Sequence, residues 1–296
     1  MSTTITNSFV RQYERDLHAV FQRMGGYLRP TVRMKTGVVG KSTTFQKVGK
    51  GTATTKARHG VITPMNQTHT AIECTLSDFY AGDWVDKLDE AKVNIDERLA
   101  IAEGGAWALG RKVDDQIITA LDTTTQTSVT ITVTSDAAVL NGLLGMRKAL
   151  DKNDVPNDGQ RFGLLTPQMW SRAMRVEQFS SSDYITANDL PFLKGGTFGN
   201  MFIRWMGILW QEHTGLPDVD TASADSFVYH RRSIGYASGA HAGNVAENES
   251  VSADITWHGD RASHFVNHMM SGGATLIDDT GVIRGTSNDT TALATS

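Results

Sequence analysis

Five short groups of residues in this sequence have types and spacings that could do chemistry. Gly40-Lys41-Ser42 matches the end of a phosphate-binding loop, in which backbone N–H groups and a lysine cradle phosphates. That motif needs a glycine five positions before Gly40, where Lys35 stands, and no strand-then-helix frame surrounds it. His264 and His268 have the spacing of a zinc-binding helix. Phe265 takes the place of the general-base glutamate, the segment alternates like a strand, and no third ligand accompanies the pair. Cys74 with His69 could make a thiol nucleophile, yet no cradle of donors is near, and a single cysteine reads as a small buried hydrophobe. Asp114 and Asp115 diverge by about 100° on a helix and cannot share a site. Asp278 and Asp279 precede Thr280-Gly281, where aspartate is favoured as a turn residue. The expectation is a chain with no catalytic residue, no cofactor and no metal.

Stepping outward, residues 7–24 repeat Phe9, Tyr13, Leu17, Val20, Phe21 and Met24 at helical spacing, and Gly25-Gly26 ends the pattern. From 17 to 72 there is no acidic residue. The span holds Arg23, Arg29, Arg33, Lys35, Lys41, Lys47, Lys50, Lys56 and Arg58. It is rich in Gly and Thr, and Val38, Phe45 and Val48 are too sparse to bury a core. A long two-stranded loop is expected, marginal alone in water and needing a surface to lie on, in its own subunit or a neighbour. The sign then reverses: Asp78, Asp83, Asp86, Asp89 and Glu90 crowd around Trp84 and Leu88.

The clearest helix follows. Ile95, Leu99, Ala102, Ala106, Leu109, Val113, Ile117 and Leu121 form one apolar stripe, and Asn94 with Glu97 suggests a capping box, so a helix of about 94–122 is expected. Gly104, Gly105 and Gly110 weaken it, so packing must hold it. Beyond it the pattern predicts a strand at 128–134, a helix at 136–150, a strand at 161–165 and a helix at 169–176. A loop-rich stretch at 180–199 follows, then one buried strand at 201–210. A strand at 227–230, a short helix or turn at 232–237, and strands at 249–256, 263–270 and 275–283 complete the chain.

The bulk numbers fit a folded protein: 296 residues, 40% hydrophobic, 20% charged, one cysteine. The net charge of −4 argues against tight duplex binding. The start has neither a basic nor an apolar signal region, and no apolar run approaches the roughly 20 residues of a membrane helix. The single cysteine fits folding in a reducing cytoplasm.

The order of parts (arm helix, basic hairpin, acidic segment, long helix, mixed domain, returning strands) resembles the Hong Kong 97-type major capsid proteins of tailed bacteriophages. Arg111-Lys112-Val113-Asp114-Asp115-Gln116-Ile117, Leu164-Leu165-Thr166-Pro167 and Gly272-Gly273-Ala274-Thr275-Leu276-Ile277-Asp278 carry the likeness in detail. It implies an α+β capsid fold. The N-terminal arm would take 1–30, the extended loop hairpin 31–77, the peripheral domain with its spine helix 78–135 and 245–296, and the axial domain 136–244. It implies a shell of hexamers and pentamers around packaged DNA in the virion, made in the host cytoplasm. Because the chain begins at the arm with Met1, a separate scaffolding protein is expected, besides a portal protein and a possible decoration protein; DNA would be met only non-specifically and no membrane is involved. In that family the hairpin lies across a neighbour's peripheral domain, so Lys41, Lys47, Lys50, Lys56 and Arg58 are expected to meet Asp83, Asp86, Asp89 and Glu90 between subunits. Some relatives crosslink a loop lysine to a distant asparagine; no crosslink is expected here. The other readings are an encapsulin-like compartment shell and, from a different class, a soluble nucleotide- or metal-dependent enzyme.

Overall fold

The computed structural model describes residues 25–87, 97–180, 202–240 and 251–291. The expected arm helix at 7–24, the loop at 180–199, and Asp89, Glu90 and Asn94 lie outside them. In chain order the elements are β1 Arg33–Val38, β2 Ser42–Val48, β3 His69–Thr75, β4 Ser77–Asp86, α1 Glu97–Asp122, β5 Val129–Ile131, α2 Asp136–Lys152, β6 Arg161–Leu165, α3 Pro167–Arg175 and α4 Glu177–Ser180. They continue as β7 Ile203–Trp205, β8 Ile208–Glu212, β9 Ala224–His230, β10 Ile234–Gly239, β11 Val251–His258, β12 Ser263–Leu276 and β13 Val282–Ser287.

These strands make three sheets. One is five-stranded: β1, β10, β12 and β11 in order, with β4 also paired to β12. The second is six-stranded, ordered β5-β13-β9-β6-β8-β7, and the third is the β2–β3 hairpin. The helix α1, about 40 Å long, packs one face on β12 and β4. Its Leu109, Val113, Ile117 and Leu121 share a core with Leu28, Val32, Tyr229, Tyr236 and Met270. The second core lies under α2 and α3, where Leu143, Met146, Leu150 and Met169 meet Trp205, Trp210, Val228 and Ile283. Ser135 caps α2 by accepting from Ala138 N–H, and Thr166 caps α3 the same way from Met169 N–H, with Pro167 in the first turn where its missing donor costs nothing.

Several sequence expectations change. The run at 201–210 is two short strands joined at Met206-Gly207, both with positive φ, where the expectation was one strand. The acidic stretch is largely a strand, β4. The segment at 232–237, expected as helix or turn, is a 3-10 turn followed by β10. The strands expected at 263–270 and 275–283 are replaced by one 14-residue strand, a 3-10 turn at Asp279–Gly281, and β13. β13, near the end of the chain, pairs with β5 and β9 in the six-stranded sheet.

Candidate assembly surfaces

Among the described residues, the hairpin is the element most exposed beyond the cores. Its stem pairs Ser42 with Thr75 through to Val48 with His69. The burial pattern of β2 alternates, and Thr43, Phe45 and Lys47 turn toward the body. Phe45 and Cys74 join Leu76, Ala237 and Ile277 in a small apolar cluster. Burying one phenylalanine contributes about 1.5–3 kcal/mol, so this cluster is the main reason the stem lies on its own subunit. Burial pushes the Cys74 thiol up, against a smaller lowering by a hydrogen bond with the Ala237 backbone. Past the stem, residues 51–59 and 61–68 are exposed, and Val61, Ile62 and Met65 stand 92%, 70% and 51% accessible.

The expected contact residues fall into distinct places. Lys41, Lys56 and Arg58 are exposed, and so are Asp83 and Asp86 on β4. Lys47 instead pairs with Asp278 at 2.8 Å, and Lys50 with Asp154 at 2.7 Å, both within the chain. The second pair is largely open to water, which screens it and leaves it a small contribution. The first is roughly two-thirds covered. Partial burial opposes ionisation of Asp278, but the hydrogen bonds from Lys47 and Thr280 outweigh it and hold its carboxyl below the ordinary range. Asp278 was read as a turn residue, and Asp154 carried no reading in the sequence. Their lysines lie 231 and 104 positions away, and no local pattern reports a pair of that separation.

One face of the β4–β12–β11 sheet is open. Tyr80 and Trp84 lie exposed there, with Phe265 4.6 Å from Trp84 between ring centres, and Arg261 stacks 4.5 Å over the same indole. The other face meets α1, where His268 is buried against Gly105 with its Nδ1 unpartnered. His264 lies on that face too, beside Trp257 at 4.9 Å. Four strand residues span about 13 Å, so the two histidines cannot share one ion. Among the described residues no group of three or more His, Cys, Asp or Glu is placed to hold a metal, and no helix is long and apolar enough to cross a membrane. Gly40-Lys41-Ser42 links two strands, with Gly40 at φ +118°, and has no helix N-terminus to receive a phosphate.

Two carboxylates, one buried and one partly exposed, brace these surfaces. Asp114, fully buried on α1, accepts from the N–H groups of Gly26 and Leu28, both at 3.0 Å, and His213 Nε2 lies 3.8 Å away. The chain before β1 is thereby clamped where Gly25 crosses Gly110 backbone to backbone, an approach no Cβ on Gly25 would permit. Asp279 accepts from Thr124 Oγ1 at 2.7 Å, Thr125 N–H at 3.0 Å, Thr125 Oγ1 at 2.6 Å and Gln126 Nε2 at 3.0 Å. It ties the end of α1 to the corner before β13.

This architecture recurs in solved phage capsids. A chain of Mycobacterium phage Che8 superposes with a TM-score of 0.70 at 17% identity, over 95% of this chain and 97% of that one. The capsid structure of the cyanophage P-SCSP1u gives 0.73 at 14%, over 97% and 95%, and the capsid of a native GTA particle gives 0.66 at 11%, over 97% of each. The fold is therefore the Hong Kong 97-like α+β fold of phage capsid chains. At the level of sequence, the family described as phage capsid protein matches residues 5–288, and this chain belongs to it. No curated protein matches it. As a member of that family it is a structural protein of the phage particle.

Proposed function

We propose that this chain is the major coat subunit of a tailed-phage head, closing around packaged DNA as hexamers and pentamers of itself. The observation that carries this reading is the hairpin, which anchors its stem at home and projects a tip with Val61, Ile62 and Met65 in solvent. Apolar side chains on an unsupported hairpin need a covering surface, and a second copy of the chain supplies one. The exposed cations Lys56 and Arg58, with Lys41, would meet the acidic strand of a neighbour at Asp83 and Asp86, with Asp89 and Glu90 following in sequence. Lys47 and Lys50 would contribute by fixing the direction of the hairpin. Complementary fields of this kind steer encounter and fix register more than they add affinity.

In this reading the five-stranded sheet with α1 forms the peripheral domain, and the six-stranded sheet with α2 and α3 forms the axial domain. A separate scaffolding protein, a portal protein and a decoration protein would be its partners. The net charge of −4 suits a wall that does not adhere to packaged DNA. Its work is binding between copies, and we assign it no catalytic residue. Negative-stain microscopy of the expressed protein, alone and with a scaffolding protein, tests the reading. Closed shells or hexameric capsomers are expected; a dispersed monomer in both conditions would overturn it.

A further inference from the structure

A projecting hairpin is only as well aimed as its base. Here the acceptor side of that base is stiff. The N–H groups of Ile277 and Asp278 both donate to Ser233 O, at 2.7 and 3.1 Å, and Asp278 Oδ1 accepts from Thr280 N–H at 3.2 Å and Thr280 Oγ1 at 2.8 Å. Asp278 is thus fixed before Lys47 arrives. Lys47 stands two residues beyond Phe45 on the same side of β2, where the stem leaves its apolar cluster. Beyond it only Lys50, paired to Asp154, touches the body by an ion pair among the described residues. Cys74, 1% exposed and the chain's single cysteine, lies inside the cluster that the stem covers.

We propose that Lys47–Asp278 is a latch that sets the elevation of the hairpin over its own subunit, with Lys50–Asp154 as a second catch. Opening the latch lifts the stem from Ala237 and Ile277 and uncovers Cys74. In an assembled shell the latch would set the angle at which each subunit reaches its neighbour. That consequence rests on the coat-protein reading; the latch itself rests on contacts within one chain.

The native cysteine is the reporter. The rate at which a small aromatic disulfide reagent titrates Cys74 is measured on the unassembled full-length subunit at neutral pH. Lys47→Met keeps the side chain's length and removes its charge. Asp278→Asn keeps an acceptor for Thr280 and removes the charge on the other side. Each is expected to speed labelling about two- to fivefold, the scale of a partly exposed ion pair. The double variant should be no faster than the faster single one, because both remove the same interaction. Raising ionic strength should speed the wild type more than the variants, which keep only the exposed Lys50–Asp154 pair. Unchanged rates in both single variants would overturn the latch. So would acceleration by Asp278→Asn alone, which would place the effect in the Thr280 corner. Shell formation is scored separately: a wild-type subunit that never forms shells removes the coat reading and leaves the thiol result standing.

Discussion

At the scale of single residues, Asp114 and Asp279 hold chain segments that no regular hydrogen-bond ladder holds. Replacing Asp114 with Ala leaves the N–H groups of Gly26 and Leu28 without their acceptor in a buried place. The expected cost is about 2–4 kcal/mol, read as a lower urea midpoint; an unchanged midpoint would mean that the start of the described chain is not clamped there. Asp279 adds a pH signature. Burial raises its carboxyl, but the donors from Thr125, Gln126 and Thr124 outweigh that and bring it to about 2. A carboxylate depressed in the folded state contributes stability that is complete above its unfolded value of about 3.9 and fades as pH falls through the folded one. Asp279→Ala should therefore cost about 1–2 kcal/mol at neutral pH, after discounting for partial exposure. The gap from wild type should close as pH drops from about 4 toward 2. A gap that persisted undiminished into acid would assign the loss to packing.

At the scale of elements, α1 offers two neighbouring glycines with opposite expectations. A Cβ at Gly104 meets nothing within 4 Å, whereas one at Gly105 would lie 2.6 Å from Nδ1 of His268. Gly104→Ala should stabilise by up to about 1 kcal/mol through helix propensity. Gly105→Ala should destabilise despite the same gain, because His268 is a buried ring with little room to yield. Thermal melts of the two variants moving in the same direction would contradict this packing. The helix itself was legible, since an apolar stripe from Ile95 to Leu121 survives its glycines. The hairpin was legible from missing acids and abundant threonine. β4 was not: Asp78, Asp83 and Asp86 drew the reading toward charge, while Phe79 and Ala81 carried the strand's contact with the α1 core and Val85 was buried as well. The turn at Met206-Gly207 was hidden because a methionine at positive φ leaves no sequence signal. Of the candidate assembly surface, the exposed cations could be read from the sequence. The intrachain partners of Lys47 and Lys50 could not, because only the folded chain brings them together.

At the scale of the whole molecule, reversing Lys47, Lys50 and Lys56 to Glu together is a poor test of neighbour contact. Two of the three lysines have partners at home, so that variant also disturbs the stem. Lys56 and Arg58 are exposed, and their reversal to Glu should leave stability within about 0.5 kcal/mol of wild type while preventing shells under the microscope. Normal shells from Lys56→Glu/Arg58→Glu would show that charge on the tip does not direct neighbour contact.

The pairing of the hairpin stem with Asp278 also has a meaning in time. The lysine leaves the ribosome 231 residues before the carboxylate it will meet. At about 5–20 residues per second, that is an interval of about 10–45 s. The five-stranded sheet and the edge of the six-stranded one also wait for late strands, because β1 needs β10, β4 needs β12 and β5 needs β13. During synthesis the hairpin therefore has tip and charge but no seat, and its direction is undefined. A nascent subunit cannot present a correctly aimed hairpin to a finished one until its own later strands are in place. On the coat-subunit reading proposed above, this sequence separation acts as a delay line that keeps half-made chains on a polysome from joining a growing shell.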